Sequence, residues 1–205
     1  MLESFTVVNV VVLLVSLVVS MTIHEFMHAY VGFKLGDTTA MVHGRVSFNP
    51  LHHIDPFMTV ILPAFTLLLP PHRPIMAAKP VPFDPHNVRY GEYGAALLAL
   101  AGPASNLALA ILGAVLFRTV PLSTFLGQAV LTFVQLNVWL AIFNLIPIPP
   151  LDGSRVLYAF APEALQDFMQ QIEPYGFFII IALVLWGGAV SLLGYVNQQV
   201  LNLLF

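Results

Sequence analysis

The sequence predicts an all-α polytopic membrane protein with four to five hydrophobic segments and a small β-hairpin or re-entrant region after the first helix. Composition carries this prediction. Of the 205 residues, 59% are hydrophobic and only 8% are charged, whereas an average soluble domain is roughly 45–50% apolar and about 25% charged. A domain with so little polar surface needs a lipid bilayer as its solvent. The length predicts one membrane-embedded domain over residues 1–205.

Four charge-free intervals are long enough to cross a bilayer, because a helix needs roughly 20 mainly apolar residues to do so. They are residues 4–23, 93–117, 119–151 and 174–205. The first interval continues beyond its end with no proline and no break until Gly36, which is a typical stop signal. It therefore predicts one long helix over residues 4–35.

The polar stretch after this helix holds less regular elements. Residues 56–72 carry no charge but contain four prolines, so they form either a short span or a re-entrant segment that enters and leaves on one face. Residues 38–48 contain Thr, Val and Phe around Gly44, which predicts the β-hairpin. Further along, residues 154–173 predict one or two surface helices, interrupted near Pro162.

The pattern His-Glu-x-x-His at His24, Glu25 and His28 is the clearest chemical signal. Residues four apart lie on one face of a helix, so the two histidines can hold a metal ion between them. Glu25 lies beside the first ligand, where its carboxylate can accept a proton from water. Imidazole nitrogens suit Zn²⁺. Ionisable groups within an apolar membrane helix cost free energy, so their presence indicates a function. The sequence therefore predicts a zinc site.

Two histidines leave a catalytic zinc site one ligand short, because such sites have three protein ligands. Asp152 is the carboxylate that best completes the set. It closes the charge-free interval 119–151, directly after several prolines that must end the helix there. The competing interpretation is that Asp152 only caps the helix that follows it.

Three ligands of one metal ion must lie at the same depth in the membrane, and this requirement limits the directions of the spans. The first interval and the interval before Asp152 must run in the same direction, and the interval between them in the opposite one. This favours the re-entrant form of residues 56–72. Six of the seven basic residues then share the face of the metal site, and only Arg118 lies opposite. That bias predicts a metal site on the cytoplasmic side.

Three further features indicate a structural role more than a catalytic or metal-binding one. The adjacent pair His52 and His53 resembles a second metal site, but neighbouring side chains point apart, so we expect a solvated or interfacial loop. Gly102 and Pro103 within a span predict a kink or close helix packing. Asn106, four residues after Gly102, is expected to form a hydrogen bond between helices.

These motifs together resemble the site-2 protease family of intramembrane zinc metalloproteases, over most of the chain. The His-Glu-x-x-His pattern resembles the first motif of the family. Residues 144–153, from Asn144 through the prolines to Asp152 and Gly153, resemble the second, and residues 101–106 (AGPASN) resemble a segment between them. No soluble segment is long enough for a PDZ or CBS domain, so we expect the minimal core branch of the family.

The resemblance implies a role for each residue. His24, His28 and Asp152 would bind Zn²⁺, Glu25 would be the general base, and Asn144 would contact the substrate backbone or the developing oxyanion. It also implies an endopeptidase of a prokaryotic plasma membrane that cuts within or near a transmembrane helix of a membrane-bound regulatory protein. The alternative is a non-catalytic membrane protein that binds hydrophobic helices and holds a structural metal.

The charge balance excludes one large class of partners. Seven Lys and Arg residues against ten Asp and Glu residues give a net charge of −3, so the chain offers no basic surface to a nucleic acid. The expected partners are the lipid bilayer and a transmembrane protein substrate.

Overall fold

A computed structural model describes residues 7–55, 79 and 81–205, and every regular element within these residues is helical. The α-helices are α1 (Val7–Lys34), α2 (Thr39–Val42), α3 (Glu92–Phe117), α4 (Phe125–Asn144), α5 (Asp152–Phe160), α6 (Glu163–Ile172), α7 (Gly176–Leu185) and α8 (Gly187–Leu204). Short 3-10 turns occupy Pro50–His52 and Glu173–Tyr175. The predicted all-α class is confirmed.

Within the described part of the chain, four helical segments are long and apolar enough to cross a membrane: α1, α3, α4 and the segment Glu163–Leu185. The predicted first helix is observed as α1, whose 28 residues extend over about 42 Å. Valine-rich α1 is helical because a segment in hydrocarbon must satisfy its own backbone hydrogen bonds. The chain is therefore an integral membrane protein.

Small side chains bring α1 and α3 close together. A Cβ atom added to Gly32 of α1 would lie 2.9 Å from Leu98 Cδ1 of α3, and Ala29 of α1 and Ala95 of α3 are both buried. Helices that present small residues to each other can approach closely enough for backbone atoms to contact side chains of the neighbour. This approach positions the backbone of α3 beside the histidines of α1.

The predicted β-hairpin over residues 38–48 is wrong. The Asp37 carboxylate accepts hydrogen bonds from the backbone N–H (2.9 Å) and the hydroxyl (2.5 Å) of Thr39. Such a local bond turns the chain where a strand would begin, and the helical turn α2 follows. Gly44 then adopts a left-handed conformation with φ of +69°. The interval 56–72, predicted to be re-entrant, lies outside the described residues.

The second half of the chain follows the predicted pattern as far as α6. Residues 154–173, predicted to form one or two surface helices, lie in two helices, with α5 ending before Pro162 and α6 beginning after it. The interval 174–205, predicted as one hydrophobic span, divides into α7 and α8 at Trp186, which is extended (φ −77°, ψ 106°). Gly187 and Gly188 follow directly, and glycine lowers the stability of a continuous helix at such a point.

Candidate metal centre

Three side chains from two helices converge on one point, and we call them the metal centre: His24, His28 and Asp152. The two histidines lie one turn apart on the buried face of α1, and Asp152 is the first residue of α5. The histidine Nε2 atoms are 3.0 Å apart. Asp152 Oδ2 lies 3.2 Å from His24 Nε2 and 3.3 Å from His28 Nε2. The structure thus brings together the three ligands that the sequence predicts.

The second nitrogen of each imidazole faces an oxygen that accepts a hydrogen bond from it. His28 Nδ1–H donates to the carbonyl oxygen of Leu98 (2.8 Å), and His24 Nδ1–H donates to Asn106 Oδ1 (2.6 Å). With Nδ1 protonated, a neutral imidazole presents only a lone pair at Nε2. Asp152 Oδ2 is buried and has no hydrogen-bond partner among the described residues. Three acceptor atoms this close repel one another unless a cation lies between them.

The dimensions of the metal centre suit zinc. Zn–N bonds of roughly 2.0–2.1 Å in tetrahedral geometry place ligand atoms about 3.3–3.4 Å apart, close to the 3.0–3.3 Å observed. The backbone of α3 leaves the necessary space at Gly102. A Cβ atom there would lie 2.3 Å from His28 Nε2 and 2.6 Å from His24 Nε2. The predicted close packing at Gly102 is therefore confirmed, and a side chain at this position would push into the ligands.

The turn between α4 and α5 delivers Asp152 to the histidines. After α4 ends, the proline-rich residues 145–151 form turns and bends in place of a helix. A Cβ atom on Gly153 would lie 2.2 Å from the carbonyl oxygen of Leu145, so glycine allows the start of α5 to pack directly on the end of α4. Leu151 occupies the cap position of α5. Asp152 instead directs its Oδ2 atom at the imidazoles.

The buried Oδ2 atom of Asp152 faces both imidazole Nε2 atoms, and a carboxylate in its ionised form is the form that binds a cation. Glu25 is also buried, but it is not a member of the ligand cluster.

The two predicted asparagines differ in their placement. Asn106 forms the expected hydrogen bonds between helices, since it contacts His24 on α1 and Asn137 on α4. Asn144 is the last residue of α4, and its amide donates to the carbonyl oxygen of Leu140 in the same helix (2.9 Å). A substrate-binding role for Asn144 therefore rests on the sequence resemblance.

Two contributors to the metal centre were not predicted from the sequence. One is the backbone carbonyl of Leu98, which has no sequence signal. The other is Asn137, whose amide contacts Asn106. A signal did exist for Asn137, because a polar side chain in the middle of an apolar span needs a partner within the protein.

Comparison with known proteins finds the same family along much of the chain. The family described as "Peptidase family M50" matches residues 119–187, a range that includes Asn144 and Asp152. "Putative zinc metalloprotease YwhC" of Bacillus subtilis is 36% identical over 184 residues, which cover 83% of this chain and 78% of that protein.

Mycobacterial relatives are longer than this chain. "Putative zinc metalloprotease Rip2" of Mycobacterium tuberculosis is 31% identical over 170 residues, which cover 81% of this chain and 62% of Rip2. The Mycolicibacterium smegmatis protein of the same name is 28% identical over 173 residues, which cover 81% of this chain and 63% of that protein. The chain thus spans less than two thirds of the Rip2 proteins. No solved structure matches it.

Proposed function

Because the chain belongs to peptidase family M50, the site-2 protease family of zinc metalloproteases, we propose that it is an intramembrane endopeptidase. Its substrate is a membrane-bound regulatory protein, cut within or near a transmembrane helix. The observation that carries this proposal is the position of the metal centre. Two of its ligands are buried on α1, a helix of membrane-spanning length. A peptide bond that reaches these ligands must itself enter the membrane region.

Each residue of the centre has a distinct role in this proposal. His24, His28 and Asp152 hold Zn²⁺. When bound, zinc polarises the scissile carbonyl and lowers the pKa of water. Glu25 accepts a proton from the attacking water and delivers it to the amine nitrogen as the C–N bond breaks. Asn144 contacts the substrate backbone or the oxygen that becomes negatively charged.

The substrate helix must unwind locally before it is cut. A transmembrane helix satisfies its backbone hydrogen bonds internally, so its carbonyl groups are shielded until a few residues leave the helical conformation. Water must also reach Glu25, and the described residues between α1 and α3, 37–55 and 81–91, offer polar groups for a route from one face of the membrane. The excess of basic residues in this stretch supports a cytoplasmic location of that face, and of the metal centre, in a prokaryotic plasma membrane.

The test is to reconstitute the full chain in liposomes with a model transmembrane peptide and to measure bound zinc and cleavage. We expect Glu25→Gln to keep its zinc and to lose about 100- to 10,000-fold in cleavage rate, the usual contribution of a general base. The matched control is Glu163→Gln on the exposed face of α6, which should retain both zinc and activity.

Two results would contradict this proposal in different ways. Cleavage that survives Glu25→Gln would reject Glu25 as the base. Stoichiometric zinc in a parent protein that cleaves no transmembrane peptide would support the alternative, a non-catalytic protein that binds hydrophobic helices around a structural metal.

A further inference from the structure

A chain of hydrogen bonds extends from His24 through two buried asparagines to the backbone of α4. His24 Nδ1–H donates to Asn106 Oδ1 (2.6 Å), and Asn106 Nδ2–H donates to Asn137 Oδ1 (2.9 Å). Asn137 Nδ2–H donates to the carbonyl oxygen of Phe133 (2.9 Å), and its second N–H donates to Ser20 Oγ (2.8 Å). The chain connects α1, α3 and α4 behind the metal ligand.

The direction of this chain is set at its far end. The Phe133 carbonyl can only accept a hydrogen bond, so Asn137 must turn its nitrogen toward Phe133 and its oxygen toward Asn106. Asn106 must then turn its nitrogen toward Asn137 and its oxygen toward His24. An amide oxygen in this place requires a proton on His24 Nδ1. The lone pair of the imidazole is consequently on Nε2, where it faces the metal centre.

Burial makes the alternative arrangements costly. Ser20, Asn106 and Asn137 are each 0% exposed, so water is not available to replace a lost partner. Reversal of either amide would bring two oxygens or two N–H groups together, and an unsatisfied polar group in such surroundings destabilises the fold. One arrangement alone satisfies every group in the chain.

We propose that Asn106 and Asn137 are positioning residues that hold His24 in its Nδ1-protonated tautomer and thereby set the affinity of the metal centre for zinc. This inference rests on the proposed zinc site and extends it to Asn137, which acts only through Asn106. His28 needs no such side chain, because the Leu98 carbonyl accepts its Nδ1–H directly. Loss of a residue that supports a metal-binding histidine typically weakens metal affinity about 10- to 100-fold.

The test measures zinc affinity by chelator competition in the purified full chain, with thermal unfolding recorded in parallel. We expect Asn106→Leu and Asn137→Leu to bind zinc about 10- to 100-fold more weakly than the parent. The matched control is Asn197→Leu. Asn197 is another buried asparagine, on α8, and its Oδ1 has no hydrogen-bond partner within the described residues. This control should bind zinc as the parent does.

A conservative variant separates positioning from a merely structural role. In Asn106→Asp the carboxylate still accepts the hydrogen bond of His24 Nδ1–H but loses the N–H that Asn106 donates to Asn137 Oδ1, so we expect zinc affinity below that of the parent and above that of Asn106→Leu. A structural role predicts the reverse order, because a buried charge destabilises helix packing more than leucine does.

The unmodified protein allows a measurement that does not depend on the folding of any variant. In the nitrogen NMR spectrum of the zinc-loaded protein, we expect the His24 ring to carry its proton on Nδ1. An unprotonated Nδ1, or leucine variants with the zinc affinity of the parent, would overturn the inference. If those leucine variants keep full affinity while Glu25→Gln is inactive, the positioning roles fail and the proposed protease function stands.

Discussion

Two regions of this protein each combine two histidines with an aspartate, yet within the described residues only one of them forms a cluster that could hold a metal ion. The first is the metal centre. The second is the loop that follows α1, where Asp37 is buried and His52 and His53 are adjacent. The difference lies in what surrounds the ligand atoms, and not in the residue types.

The two aspartates have opposite hydrogen-bonding environments. Asp37 accepts hydrogen bonds from the backbone N–H and hydroxyl of Thr39 and, at 2.9 Å, from the backbone N–H of Asp84. These donors already stabilise its negative charge. Asp152 Oδ2 has no donor within the described residues and faces two imidazole nitrogens. A carboxylate oxygen that lacks donors but faces other acceptors is the one that requires a cation.

The two histidine pairs differ in whether their rings meet, because the Nε2 atoms of His24 and His28 lie 3.0 Å apart, whereas His52 and His53 contact separate carbonyl groups. The His52 ring interacts through Nδ1 with the carbonyl oxygen of Gly44 (2.7 Å), and the His53 ring through Nε2 with that of Ser47 (2.8 Å). Each ring is thus held by a different carbonyl group, as expected for adjacent side chains that point apart. The prediction for this pair is a solvated or interfacial loop; His52 is exposed, and His53 is buried.

The largest expected difference between the two regions is in zinc binding, when the aspartate of each region is replaced by asparagine. We expect Asp152→Asn to weaken zinc binding by more than about 100-fold, because a direct ligand contributes more than the 10- to 100-fold typical of a supporting residue. Asp37→Asn should keep stoichiometric zinc. Zinc content after gel filtration measures both. Equal zinc loss in the two variants would show that burial of an aspartate, and not its position, decides binding.

A smaller effect should follow from filling the space beside the histidines. In Gly102→Ala the new methyl group would overlap both Nε2 atoms, and we expect zinc affinity to fall about 10- to 100-fold. Gly113→Ala on the same helix is the matched control, because its methyl group would meet the side chains of Val134 (2.7 Å) and Phe133 (3.5 Å) and no metal ligand. Chelator competition on both proteins makes the measurement. Unchanged zinc affinity in Gly102→Ala would contradict the close approach of α3 to the ligands.

The smallest effect concerns the pH dependence of stability in the loop. Burial raises the pKa of Asp37, but the hydrogen bonds from Thr39 and Asp84 lower it by more, so the net shift is downward from 3.8. A lowered pKa in the folded state stabilises the fold above the ordinary pKa, and this stabilisation disappears as the pH falls through the folded-state value. We expect Asp37→Asn to cost about 1–2 kcal/mol at neutral pH.

Thermal unfolding of the parent and of Asp37→Asn over a pH series measures this difference. The difference in stability between the two proteins should shrink as the pH falls below 3.8. A difference that is constant with pH would show that the charge of Asp37 has no part in it.

The pattern of the sequence predicted the parts of the fold that depend on short-range geometry. The spacing of His24 and His28 was sufficient to predict that the two side chains lie together, because residues four apart share a helix face wherever the helix lies. Asp152 required a further argument from the depth of the spans. The β-hairpin failed because the hydrogen bonds of Asp37 outweighed the strand preference of the residues that follow it.

Residue composition indicates a membrane protein, and the α-helical repeat of about 3.6 residues places two histidines on one face of its first helix. Composition and helical repeat are local properties of the chain, so the sequence alone determines them. Helix packing decided the rest. The close approach of α3 places Gly102 and the Leu98 carbonyl beside the imidazoles, and the asparagine chain across α3 and α4 orients His24. These contacts join residues far apart in the chain, and their hydrogen-bond directions exist only once the helices have met.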